Sequence, residues 1–141
     1  HVGPRQADIF VVSDFCKQAV LIEKGLQAQV MRVGNLAAKR DFTDVRDVVH
    51  AYTSLVQFGA AGETYNVGSG HAIPIQSILE MIVAQSKAEI AVETDPAKLR
   101  PVDVPIIEAD TRKIYDATGW QPKIPLETTI ANTLDYWRET L

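Results

Sequence analysis

A single cysteine, Cys16, stands in 141 residues. That excludes an internal disulfide and a cysteine metal cluster, and the apolar neighbours of Cys16 predict a buried thiol. No apolar run approaches the roughly 20 residues that cross a bilayer, and no signal peptide is visible, so a cytoplasmic protein without membrane contact is expected. Basic charge is also scarce. With 14 Lys and Arg against 18 Asp and Glu the net charge is −4, which argues against general affinity for nucleic acid or anionic membrane. An anionic ligand would have to be small and captured locally. No His/Cys/Asp/Glu grouping has metal-ligand spacing, so no metal is expected. There is no nucleophile elbow and no Walker loop. Tyr115 has no lysine four residues on, and His1, His50 and His71 are scattered.

What is present reads as alternating strands and helices, hence an α/β fold in one compact unit spanning residues 1–141. "DIFVVSDFCKQAVLIEKG" carries apolar residues at helical spacing, with Asp8 as a cap and Gly25 as a stop. "AQVMRVGN" alternates as a strand does, and "RDF" is a second short extended piece. A helix from about Asp44 follows, with Val45, Val48, Val49, Tyr52, Leu55 and Val56 on one expected core face. "ETYNVGSG" reads as a strand entering a turn, "IPIQSILEMIVAQS" as a helix, "AEIAVETD" and "IIEAD" as strands. "TRKIYDATG", capped by Thr111, and "PLETTIANTLDYWRETL", started by Pro125, read as closing helices. "HVGPRQ" opens on a turn signal with nothing before it, so a longer parent chain is expected.

Two arginines stand out. Arg40 lies just before a predicted helix start, where backbone N–H groups and a guanidinium would together favour an anion. The alternative is a surface pair, Arg40–Asp44 or Arg46–Asp47, worth under about 1 kcal/mol. Pro101 holds the backbone extended at Arg100, with Asp103 close behind. One forked donor and one acceptor on a stiff loop suit a phosphate and a ribose hydroxyl; a solvated charge pair is the rival. "GSGHAIP" lacks the G-x-G-x-x-G spacing and fits a tight turn better than a phosphate loop.

In this order, "HVGPRQ", "VGNLAAKRDFTDVRDVVHAY", "ETYNVGSG", "LRPVDV", "ADTRKI" and "TGWQPKIPLE" resemble segments of the extended short-chain dehydrogenase/reductase family. "GNLAAKRDF" is similar to the GDP-sugar branch, which holds GDP-mannose 4,6-dehydratases and GDP-6-deoxy-4-keto-mannose reductases. "RDFTDVRDV" resembles the reductases more, since the dehydratases usually carry Trp-Gly-His in place of Phe42-Thr43-Asp44. The resemblance implies the C-terminal, substrate-binding part of a Rossmann-like fold, with the N-terminal dinucleotide-binding half missing. It implies a GDP-sugar substrate, NADP or NAD as cofactor, and a homo-oligomer. It places Arg40 and Arg100 on the substrate diphosphate and Asp103 on the ribose. Val11, Val12, Lys17, Met31 and Val33 are implied beside the nucleotide, with Asn35 shaping the pocket. His1 and Arg5 match positions near the nicotinamide side of the cofactor.

The family's dinucleotide fingerprint, catalytic Ser/Thr and Tyr-x-x-x-Lys pair have no equivalent in these residues. The Tyr moves a proton at the sugar while the cofactor exchanges hydride, and the Lys lowers that Tyr's pKa. On this reading the parent makes a GDP-6-deoxyhexose such as GDP-rhamnose, and the present chain alone is inactive. Alternatives are a GDP-mannose 4,6-dehydratase, another nucleotide-sugar epimerase or dehydratase, and a non-catalytic nucleotide-sugar-binding or assembly module.

Overall fold

The computed structural model describes residues 1–99 and 103–141. Among them, five α-helices and five short strands alternate: α1 Val11–Glu23, β1 Val30–Val33, β2 Lys39–Asp41, α2 Val45–Phe58, β3 Ala72–Pro74, α3 Ile75–Gln85, β4 Ala91–Thr94, β5 Ile106–Ile107, α4 Arg112–Thr118 and α5 Leu126–Thr140. β1 pairs in parallel with β4 from Val30↔Ala91 to Val33↔Thr94. β2 sits between β3, antiparallel with Arg40 opposite Ile73, and β5, parallel with Lys39 opposite Ile106. The architecture is α/β, as the alternation of periods requires.

Helix α1 shows why the core lies where it does. Val12, Phe15, Cys16, Ala19 and Val20 recur at helical spacing and are all nearly inaccessible. They meet Met31 and Val33 of β1, Ile78, Leu79 and Ile82 of α3, and Ile130 and Leu134 of α5. The helix ends where Gly25 adopts φ 68°. The Gly25 N–H donates to the Ile22 carbonyl and the Leu26 N–H to the Leu21 carbonyl, the paired bonds that close a helix through a left-handed glycine. Its start differs from expectation. Phe10 is the N-cap residue and makes no side-chain cap bond, while Asp8 accepts from Lys17 Nζ at 2.6 Å.

Three arms of a charge cluster tie the C-terminal ends of this layer together. Arg138 of α5 donates to both oxygens of Glu23 at 2.9 and 2.8 Å and to the Gln85 carbonyl at the end of α3. The Lys87 N–H and Ser86 hydroxyl also donate to Glu23. Arg138 is the main reason the Glu23 carboxyl is held down at about 2. Burial pushes the Cys16 thiol up to about 12, so it packs as a small inert apolar group at neutral pH.

Two expectations are corrected. "ETYNV", from Glu63 to Val67, forms no strand; the third strand is β3, further along the chain. Tyr65 instead packs beside a small second cluster of Ala51, Ile114 and Trp120. Its hydroxyl accepts from the Ala60 N–H. The predicted core face of α2 is largely bare. Val48 and Ala51 are buried, but Val45, Val49, Tyr52 and Val56 are exposed, Val56 by 88%. What anchors α2 is polar: Asp47 accepts from the Lys123 and Ile124 N–H groups, and Trp120 Nε1 donates to the Asp47 carbonyl.

Candidate functional site

A cleft of about 660 Å³ opens between the first turn of α1, the exit of β1, β2 and the loop after β4. Val11, Asn35, Arg40 and Asp103, expected at a site from the sequence, all line it. They are brought together by topology. Parallel pairing of β1 with β4 and of β2 with β5 delivers both loop exits to one end of the molecule, beside the start of α1.

Arg40 leaves β2 with its guanidinium held on three sides. One terminal nitrogen donates to the Lys39 and Val104 carbonyls at 2.8 and 2.7 Å, the other to Asp103 Oδ1 at 2.6 Å. Asn35 Nδ2 donates to the second Asp103 oxygen at 3.1 Å, and Asn35 Oδ1 accepts from the Ala37 N–H. Among the described residues these contacts use three of the five guanidinium donors. The result is a fixed cation flanked by a fixed acceptor: a fork for a phosphate and a carboxylate for a hydroxyl pair.

The helix start of α2 plays no part in this. Its Val45 N–H donates to the Val2 carbonyl and its Arg46 N–H to Asp44 Oδ1, so its first amides are occupied. The ion pair there is Arg46–Asp44, its carboxylate buried and its guanidinium half-exposed, with Thr129 donating to the same carboxylate. Burial works against ionisation of Asp44, but the bonds from Arg46 and Thr129 outweigh it and hold the carboxyl below the usual range. "GSG" likewise serves the chain itself. The Ser69 and Gly70 N–H groups, the Ser69 hydroxyl and the Ala109 N–H all donate to Asp41. A Cβ on Gly68 would stand 2.5 Å from the Ala109 Cβ, so only glycine lets the turn close there.

Other expected site residues lie elsewhere. Val12, Met31 and Val33 are core residues, each at most 1% exposed. Their side chains belong to the main core and are not part of the cleft lining. Lys17 is bound to Asp8 and lies 5.3 Å over the Trp137 ring. His1 and Arg5 are exposed outside the cleft lining, Arg5 with φ 71°. Arg100 lies outside the described residues.

Sequence reasoning missed Asp14 and Lys98, which line the same cleft and pair at 2.5 Å. They are 84 positions apart, so no local spacing links them. The available signal was Asp14 one turn into α1, level with Phe10 and Val11 at the rim.

An α/β scaffold whose parallel strands open a cleft at their exits, with the Arg40–Asp103 pair inside it, is of Rossmann-like type. More specifically, residues 1–133 match the GDP-mannose 4,6 dehydratase family, and the chain belongs to it. Over 137 residues it is 34% identical to the GDP-6-deoxy-D-mannose reductase of Pseudomonas aeruginosa, spanning 97% of this chain and 45% of that protein. It is 26% identical to the GDP-mannose 4,6 dehydratase of Cricetulus griseus, over 92% of this chain and 40% of that one. The structure of RMD from Pseudomonas aeruginosa, complexed with NADPH, superposes with a TM-score of 0.93 at 33% identity, covering 100% of this chain and 46% of that one. The chain thus spans about half the length of these relatives, matching the C-terminal part of the reductase. No described helix is long and apolar enough to cross a membrane.

Proposed function

We propose that this chain is the nucleotide-sugar-holding part of an NAD(P)-dependent GDP-6-deoxy-4-keto-mannose reductase, one that makes a GDP-6-deoxyhexose such as GDP-rhamnose. The observation that carries the reading is the Arg40–Asp103–Asn35 cluster inside the cleft, in a chain 34% identical to a GDP-6-deoxy-D-mannose reductase. Arg40 grips the diphosphate with its remaining N–H donors, and Asp103 accepts from the ribose hydroxyls. Val11 covers one wall of the nucleotide, and the family resemblance assigns Arg100 to the diphosphate as well. The likeness to GDP-mannose 4,6 dehydratase supports that activity as the second reading.

His1 and Arg5, both exposed at the start of the chain, are assigned to the nicotinamide side of the cofactor, away from the sugar-nucleotide cleft. The main part of the NADP or NAD site is assigned to the portion of the longer relatives that this chain does not span. That cofactor supplies hydride. The chain's own contribution is to bind and orient the sugar nucleotide, and it is inactive by itself. In solution it associates with copies of itself through the bare α2 face of Val45, Val49, Tyr52 and Val56.

Calorimetric titration with GDP, UDP and GDP-mannose tests the reading. GDP and GDP-mannose are expected to bind, with affinity falling by about tenfold or more in Arg40→Ala, the scale of a charge-assisted hydrogen bond. Unchanged affinity in that variant would remove Arg40 from the diphosphate.

A further inference from the structure

Two ion pairs share the cleft, and the reading above uses one. The other joins Lys98 Nζ to Asp14 Oδ2 at 2.5 Å, with side chains 35% and 24% exposed. A partly exposed Lys–Asp pair adds under about 1 kcal/mol to a fold. Yet both partners are held in place. Asp95 caps the short turn Pro96–Lys98 by accepting from the Ala97 N–H, and the Lys98 N–H donates to the Asp95 carbonyl. The Asp95 N–H in turn donates to the Val33 carbonyl, which ties the turn to the end of β1. At Gly34 a Cβ would stand 2.7 Å from the Lys98 carbonyl oxygen, so a side chain there would push the turn out. Asp14 sits on the first turn of α1, and its N–H donates to the Phe10 carbonyl.

The surroundings are those of a flat aromatic ligand. Phe10 and Leu99 line the cleft beside this pair and are 52% and 46% exposed, apolar surfaces on which a flat ring can lie. A carboxylate next to an ammonium presents two acceptors and then a donor. The Watson–Crick edge of guanine presents the complement: the N2 and N1 hydrogens as donors, then O6 as acceptor. Adenine would turn its ring nitrogen lone pair toward the carboxylate. Uracil would place one carbonyl oxygen against it. Both leave a charged acceptor unpaired, which is where discrimination of this kind arises.

We propose that Asp14 and Lys98 are the base-reading residues of the cleft, Asp14 accepting from guanine N1–H and N2–H while Lys98 donates to O6. The assignment rests on the nucleotide-sugar reading of the same cleft and deepens it. The pair opens to admit the base and re-forms around its edge, while Arg40 and Asp103 hold the diphosphate and ribose. Its chemistry is that of a specificity filter, separate from affinity for phosphate.

The test is titration of the chain with GDP, inosine diphosphate, ADP and UDP, in the wild type, Asp14→Asn and Lys98→Met. Inosine diphosphate lacks only the N2 amino group. The wild type is expected to prefer GDP over each competitor by about tenfold, the scale of one hydrogen bond to a charged group. Asp14→Asn should erase the GDP preference over inosine diphosphate while leaving ADP and UDP affinity unchanged. Lys98→Met should weaken GDP and inosine diphosphate together, since both carry O6. Thermal midpoints close to the wild type check that both variants fold. A GDP preference that survives Asp14→Asn overturns the base assignment alone, as does equal binding of all four nucleotides by the wild type. Absence of binding by every nucleotide overturns the cleft's nucleotide reading and this assignment with it.

Discussion

Helices α1 and α2 carry the same apolar period and meet opposite fates. In α1 every residue of the stripe from Val12 to Val20 is sealed against β1, α3 and α5. In α2 the stripe runs Val45, Val49, Tyr52 and Val56 and faces outward, while the helix is held by Ala51 against Ile114 and Trp120 and by the Asp47 carboxylate. Periodicity states that a helix has an apolar face; it does not state what covers that face. The difference separates the two halves of this molecule energetically. One is a close-packed three-helix layer, the other a polar-stitched attachment with a small apolar cluster of its own.

Truncating the first region should cost most. Ile130→Ala removes a fully buried side chain from the α1/α3/α5 layer and should destabilise the chain by about 3 kcal/mol, read as a lower urea midpoint. Val56→Ala on the bare stripe should shift stability by no more than about 0.5 kcal/mol. Comparable losses at the two sites would erase the distinction.

The acid response should come next, because the large layer is clasped by Glu23 and Arg138. The Glu23 carboxyl titrates at about 2 in the fold against an ordinary 4.5. A group depressed in this way stabilises the fold above its unfolded value, and that stabilisation is lost as pH falls from about 4.5 through about 2. Unfolding followed between about pH 6 and 2 should lose on the order of 2 kcal/mol to this group. Glu23→Gln should flatten that part of the profile, and a profile that stays as steep would assign acid sensitivity to other carboxylates.

The smallest effect on stability should carry the clearest effect on assembly. Val49→Glu combined with Val56→Glu places two charges on residues that are 52% and 88% exposed. The thermal midpoint should barely move, whereas light scattering should report a smaller mass than for the wild type. A wild type that is monodisperse and monomeric would contradict association through this face.

How much of the site was legible follows from the same contrast. Arg40 could be nominated from its place just before a helix start, and Asp103 from its place behind Arg100-Pro101 on one stiff loop, although the helix start itself takes no part in the site. Their mutual bond could not, since β2 and the loop into β5 meet only when the parallel pairing of Lys39 with Ile106 forms. Asp14 and Lys98, 84 positions apart, likewise meet only when the turn after β4 packs against the start of α1. Met31 and Val33 were nominated beside the nucleotide, and the pleat of β1 turns both side chains into the core, leaving Arg32 between them outside to pair with Glu93. "ETYNV" alternates well enough for a strand, but β2 takes β3 and β5 as its neighbours instead.

The sequence by itself determined the alternation of helices and strands, the inward face of α1, the glycine stop at Gly25, and the absence of disulfide chemistry within the chain, because each depends on composition or on residues within a few positions of one another. Tertiary structure alone decided that α2 turns its apolar stripe outward, that Arg40 answers to Asp103 and not to Asp44, and that Asp14 meets Lys98 across 84 positions. Those outcomes depend on which surfaces the packed elements bring within a few ångströms, and no local period encodes that distance.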